Sequence, residues 1–249
     1  MRKPVISEAE TRSMLLLSLR DLGCVTESQL LDFVTDCGFM NYFSLQFALT
    51  DLEESGLLHR RLHPLGSLVE LVPGVQLPEL EIKPDREQLI KDKILRNLRR
   101  YQKELQSPAL AIRQPDGSWC LRMMLMEGDS TLVDLMLESE EYFPNLQEAW
   151  EKAATTIYSV ITSTLSDSFE RVPPRVPLPE GTAMKQGRGT EWTLYLASDQ
   201  EGPAMTLITS LPDRELCRHW ARRWPACRAE MYRAVLALLR TSAGAPEHA

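Results

Sequence analysis

A chain of 249 residues, 43% hydrophobic and 25% charged with net charge −7, can bury a substantial core and divide into two or three domains. Its five cysteines, at 24, 37, 120, 217 and 227, contain no C-x-x-C pair, so they fit neither a disulfide framework nor a zinc site and read as reduced thiols. No apolar run after Arg2-Lys3 suits a signal peptide and none approaches transmembrane length, so a cytoplasmic protein without membrane contact is expected.

The first predicted helix opens at Ser7, with Glu10 three residues on, the spacing of a capping box. Its apolar face is Met14, Leu15, Leu17, Leu19 and Leu22, and Gly23 ends it. Thr26 and Gln29 repeat the capping pattern before a second helix with Leu30, Leu31, Phe33 and Val34 on its buried face. Gly38 suits a tight turn. Asn41 caps a third helix whose apolar positions are Phe43, Leu45, Phe47, Ala48, Leu49 and Leu52, ending at Ser55-Gly56. Two short strands follow, Leu57–Leu62 and Ser67–Val72, joined by His63-Pro64-Leu65-Gly66. This order is that of a winged helix-turn-helix over residues 1–74.

Residues 75–106 read as a proline-spotted linker and a basic helix. Beyond them the chain repeats itself. Trp119 and Trp192 each open an alternating strand, a further strand follows at Thr131–Leu137 and Ala204–Leu211, and a long helix closes each copy. Those helices match as Trp150, Tyr158, Leu165 and Trp224, Tyr232, Leu239. Earlier strands at Ala109–Arg113 and Thr182–Gln186 complete two βββα units, 107–167 and 182–240. A Pro-rich linker at 168–181 separates them, and a disordered tail is expected at 241–249. The predicted fold class is therefore α+β: a winged helix-turn-helix, a basic helix, and two βββα repeats forming antiparallel sheet with packed helices. Each unit alone would bury little, so one pseudo-symmetric C-terminal domain is expected.

The run from Leu15 to Leu22, Asn41-Tyr42-Phe43, and Glu53-Glu54-Ser55-Gly56-Leu57-Leu58 resembles an uncharacterised family of Firmicutes, mainly clostridial. That family is a domain of unknown function with a winged-helix start. The likeness extends through Met126-Glu127-Gly128-Asp129, Leu132-Val133-Asp134-Leu135, Trp150 and Tyr158, over roughly residues 8–165. It implies a winged-helix fold and a transcriptional-regulator role, and one βββα copy as the usual number. It brings no ligand, DNA site or catalytic residue.

In helix-turn-helix proteins the recognition helix presents its N-terminal residues to base edges, here Asn41, Tyr42, Ser44 and Gln46. The hairpin supplies His59, Arg60, Arg61 and His63 as phosphate-contact candidates. Against this, residues 1–74 hold six Lys/Arg and ten Asp/Glu, and the third helix has no Lys or Arg. An acidic reading head is a handicap, because phosphate neutralisation supplies most non-specific affinity. Residues 83–103 offer compensation, with eight Lys/Arg against three Asp/Glu. There Lys93, Arg96, Arg100 and Lys103 fall on one helical face, as a phosphate track or simply a solvated surface, opposite Leu89, Ile90, Ile94, Leu98, Tyr101 and Leu105.

No nucleophile, acid–base pair, metal set or cofactor loop stands out, so no enzyme activity and no cofactor are expected. His219 reads as a surface histidine, and Gln186-Gly187-Arg188-Gly189 lacks the setting of a phosphate loop. Two readings stay open. The one that the helix-turn-helix order and the resemblance favour is a regulator of double-stranded DNA with a C-terminal dimerisation or sensing region, predicted to be a homodimer. The other is a protein-interaction module whose acidic winged helix binds no DNA.

Overall fold

The computed structural model of the chain describes residues 6–127, 130–169, 176–187, 191–198 and 204–244. Among these residues lie six helices and two antiparallel sheets, a mixed α+β fold divided between two compact units that meet in sequence at Leu105 and Gln106.

The first unit runs α1 (Glu8–Leu22), β1 (Val25–Thr26), α2 (Glu27–Cys37), α3 (Tyr42–Glu54), β2 (Leu58–His63), β3 (Gly66–Leu71) and α4 (Pro84–Gln106). Local chemistry explains where its helices start. The Thr26 hydroxyl accepts the Gln29 backbone N–H at 3.1 Å, and the Gln29 carbonyl oxygen accepts the Thr26 N–H at 2.9 Å. The Asn41 side chain accepts the Ser44 N–H at 3.0 Å. Gly38, with φ of 73°, ends α2 in the left-handed conformation that glycine adopts without strain. The hairpin turns at Pro64-Leu65, with His63 opposite Gly66, and the sheet order is β1-β3-β2. β1, too short to show as a pattern, adds a third strand by pairing Val25 with Val69.

Leu15, Leu16, Leu17 and Leu19 of α1 are all at most 1% exposed, so apolar contacts surround this helix on several sides. Part of that cover comes from beyond the hairpin. The Ser13 hydroxyl accepts the Glu81 N–H at 3.2 Å, and the Glu10 carboxylate accepts the Lys83 N–H at 3.3 Å and Arg86 Nη1 at 2.6 Å. Glu10 is therefore not the reciprocal half of a box with Ser7, whose hydroxyl accepts the Glu10 N–H at 3.2 Å. Ile90, Ile94 and Tyr101 of α4 join the same core as Leu15, Phe33 and Leu49. Residues 75–106, read from sequence as a segment of their own, thus belong to the first unit as far as Leu105.

The second unit runs β4 (Ala109–Arg113), β5 (Trp119–Glu127), β6 (Ser130–Ser139), α5 (Leu146–Ser166), β7 (Thr182–Gln186), β8 (Trp192–Ala197), β9 (Met205–Leu211) and α6 (Arg214–Ala243). Its strands form one six-stranded sheet in the order β4-β5-β6-β9-β8-β7, which reads the same from either edge. β6 and β9 pair antiparallel at the centre, Val133 to Leu137 against Thr209 to Met205, with Leu135 opposite Leu207 in the middle. Trp150 Nε1 donates to the Met124 carbonyl at 2.7 Å, and Trp224 Nε1 donates to the Ala197 carbonyl at 2.9 Å. Met124 and Ala197 stand equally far after the two strand-opening tryptophans, so the two halves bond alike. A single hydrophobic core spans both, from Leu121 and Trp150 to Trp224 and Leu239.

Three expectations need correction or restriction. α6 continues to Ala243, into the expected tail, because Leu239 is buried and Arg240 Nε meets a Glu141 carboxylate oxygen at 2.8 Å. His219 is buried, not superficial: its ring nitrogen lies 3.3 Å from the Asp167 carbonyl at the end of α5, beside the Phe169 ring. Residues 171–175 of the Pro-rich linker, the glycines at 128, 189 and 202, and residues 245–249 lie outside the described residues.

Candidate recognition face

Leu45, Leu49 and Leu52, spaced by four and three residues, point α3 into the core at 0%, 0% and 1% exposure. The opposite side of the helix is therefore outward. It carries Phe43 and Phe47, which are 73% and 74% exposed, where burial was expected. Tyr42, 52% exposed, meets the Phe43 ring edge-on at 5.5 Å. Asn41 and Ser44 are exposed, with the Asn41 oxygen already engaged as the helix cap. Gln46 is half-buried and donates to Glu27 at 3.2 Å. Thr50, Asp51, Glu53 and Glu54 complete the outward surface. Beside it, a cleft of about 470 Å³ is lined by Ile6, Glu8, Arg12, Met40, Phe47 and Asp51.

The basic side chains of the hairpin face carboxylates. Arg60 Nη1 lies 3.1 Å from Glu27 Oε1, and its Nε lies 3.2 Å from Glu53 Oε2. His59 Nε2 is 2.9 Å and Arg61 Nε 3.3 Å from the same Glu70 oxygen, Oε1. Arg61 also donates to Cys24 Sγ at 3.6 Å, and burial pushes that thiol's pKa up against the lowering effect of Arg61. His63 Nδ1 accepts the Leu65 N–H at 3.2 Å, ordering the turn. Leu58, Arg60 and Leu62 share one side of β2. The Arg60 contacts turn that side toward α2 and α3, and Leu62 on it is 96% exposed.

The predicted basic stripe of α4 does not stand as one free surface. Lys93 bonds the carboxylate of Asp36 and, at 2.7 Å, the Asp36 carbonyl, fastening α4 to the end of α2. Arg100 donates to Asn97 at 3.1 Å and lies over the Tyr101 ring. Lys103 is exposed. Arg96 and Arg99 are exposed, with no carboxylate partner among the described residues. Leu95 and Leu89 stand out beside them at 75% and 42% exposure, so Leu89 does not belong to the buried stripe.

The partners that sequence reasoning missed are Glu27, Glu53 and Glu70. A two-residue turn at Pro64-Leu65 sets Glu70 opposite His59, so that pairing had a detectable signal. The reach of Arg60 to two different helices had none.

A family described as "Domain of unknown function (DUF4364)" matches residues 14–165. The chain belongs to this family. The family match runs from α1 to the last turn of α5, so it takes in the whole α3–hairpin face and the first βββα unit and leaves the second unit outside. No curated protein and no solved structure matches the chain.

Proposed function

We propose that the protein works by macromolecular contact, without catalysis, and that its N-terminal winged helix docks a protein segment through α3 and the hairpin. The observation that carries this reading is the outward aromatic side of α3, Phe43 and Phe47 flanked by Asp51 and Glu54 with no cation on the helix. Exposed aromatic side chains anchor protein interfaces when a pocket desolvates them. The carboxylates beside them repel a phosphate backbone. Arg60 and Arg61 would have to leave Glu27, Glu53 and Glu70 to reach DNA, exchanging one ion pair for another. Five free cysteines fit a reducing, cytoplasmic setting.

A second reading, a DNA-binding transcriptional regulator, draws support from the exposed Asn41 and Ser44 at the start of α3 and from Arg96 and Arg99 on α4. Titration of the full chain into a fluorescent random-sequence duplex, between about 50 and about 200 mM salt, separates the two. Docking of protein predicts feeble binding at both salts. Tight binding that falls steeply with salt and weakens in Arg60→Ala/Arg61→Ala would establish DNA binding through the hairpin and overturn the docking reading.

A further inference from the structure

We propose that the edge of β6 is built to pair with a copy of itself, and that the second βββα unit occupies the place of a second copy of the first. This stands apart from the docking reading of α3. A two-fold axis through the Leu135–Leu207 pair, normal to the sheet, relates the two halves strand for strand. Leu135 faces Met123 and Met123 faces Ala109, as Leu207 faces Leu196 and Leu196 faces Thr182. The helices follow at one constant spacing: Ile157, Ile161 and Leu165 of α5 answer to Met231, Val235 and Leu239 of α6, and all six are buried. The region matched by the family holds β4, β5, β6 and α5 but not β9, so within that region the sheet stops at β6. Val133, Leu135 and Leu137 on that strand are buried in the whole chain, and an apolar edge of this kind recruits another strand.

The chemistry of β6 suits a second β6. Pairing of two copies about Leu135 sets Leu135 against Leu135, and Val133 against Leu137 where they now meet Thr209 and Met205. Asp134, held by Arg122 at 2.7 Å, would face Met136 where it now faces Ile208. Glu138 would face Leu132, so no like charges meet. Such mutual pairing is the isologous geometry of a two-fold dimer. Filled from within, the edge leaves the intact chain one α3 face for each six-stranded sheet, where self-pairing would bring two.

A cysteine trap in the full chain tests this. The Glu138 N–H donates to the Ala204 carbonyl at 2.9 Å, so Leu135, three residues back, falls at a non-hydrogen-bonded position, where paired side chains lie closest. Leu135→Cys alone, oxidised, is expected to give no link between chains at position 135, because Leu207 faces it. Adding Thr206→Pro/Ile208→Pro removes β9 as a partner, since proline does not fit a central strand. That chain is expected to form a covalent dimer joined at position 135, identified by mass spectrometry of the linked peptide. No link at 135 after the prolines, or an equal link without them, overturns the proposal. Where the proline chain yields no soluble protein, a second variant decides. Met205→Val/Thr209→Leu gives β9 the inner-face residues of β6 around Leu207. Its thermal unfolding midpoint is expected within about 8 °C of wild type, although Thr209 gives up its bond to the Leu132 carbonyl. A larger fall overturns the proposal, because β6 then rejects its own side chains.

Discussion

Arg60 sits between Glu27 and Glu53, at 25% side-chain exposure, and joins α2, α3 and the hairpin in one charge cluster. Its removal leaves two carboxylates close together without their cation. Arg60→Ala is expected to lower stability by about 1 kcal/mol, measured by urea unfolding. The same substitution is expected to leave DNA affinity unchanged. From sequence, Arg60 and Arg61 look like a phosphate clamp, because a basic pair on a hairpin carries no sign of which carboxylates will fold against it. Half-buried Cys37 and buried Cys217 respond to pH through their thiols. Burial raises Cys37 to about 11 and Cys217 to about 12. A raised folded-state pKa means the native protein holds its proton longer than the unfolded chain. The resulting stability is complete below the unfolded thiol range, near 9, and is lost as pH climbs toward 11–12. Cys217→Ala is expected to flatten the fall in unfolding free energy above pH 9, followed by denaturant titration at each pH.

The helices show why some elements were legible and others were not. Caps at Ser7, Thr26 and Asn41 act within three residues, so the starts of α1, α2 and α3 could be read directly. The orientation of α3 could not. Leu45, Leu49 and Leu52 make one apolar stripe, Phe43 and Phe47 make another, and periodicity alone does not say which faces the core. α4 was misread in a related way, since Arg86 counts as surface charge until Glu10 is known to lie against it. Their side chains are 13% and 9% exposed. Arg86→Ala would strand the Glu10 carboxylate, and a loss of about 3–5 kcal/mol is expected. Lys91→Ala, which breaks an exposed pair with Glu87 on the same helix, is expected to cost under about 0.5 kcal/mol, and urea unfolding of both variants makes the comparison.

The second unit is one sheet built from two equivalent halves, and tryptophan spacing reveals the two halves, though not the sheet they share. Trp150 and Trp224 were legible as a pair because each must reach a backbone carbonyl of its own half, which holds the helix-to-strand separation nearly constant. Trp150→Phe and Trp224→Phe each leave such a carbonyl unpaired. Both are expected to destabilise by about 1–3 kcal/mol and by similar amounts, in a single cooperative transition of that unit. The join between halves was not legible, because antiparallel pairing of Leu135 with Leu207 leaves no mark in either strand alone. The family match ends at residue 165, so the second half lies outside it.

On the reading proposed here, the α3–hairpin face contacts protein and not DNA. Selection of the full chain against a random duplex library, sequenced over successive rounds, tests it most directly. The outcome expected here is no enriched motif beyond that recovered with the Phe43→Asp/Phe47→Asp variant. A motif enriched by wild type, bound tightly, and lost on substitution of Asn41 and Ser44 would contradict the claim and make α3 a base-reading helix.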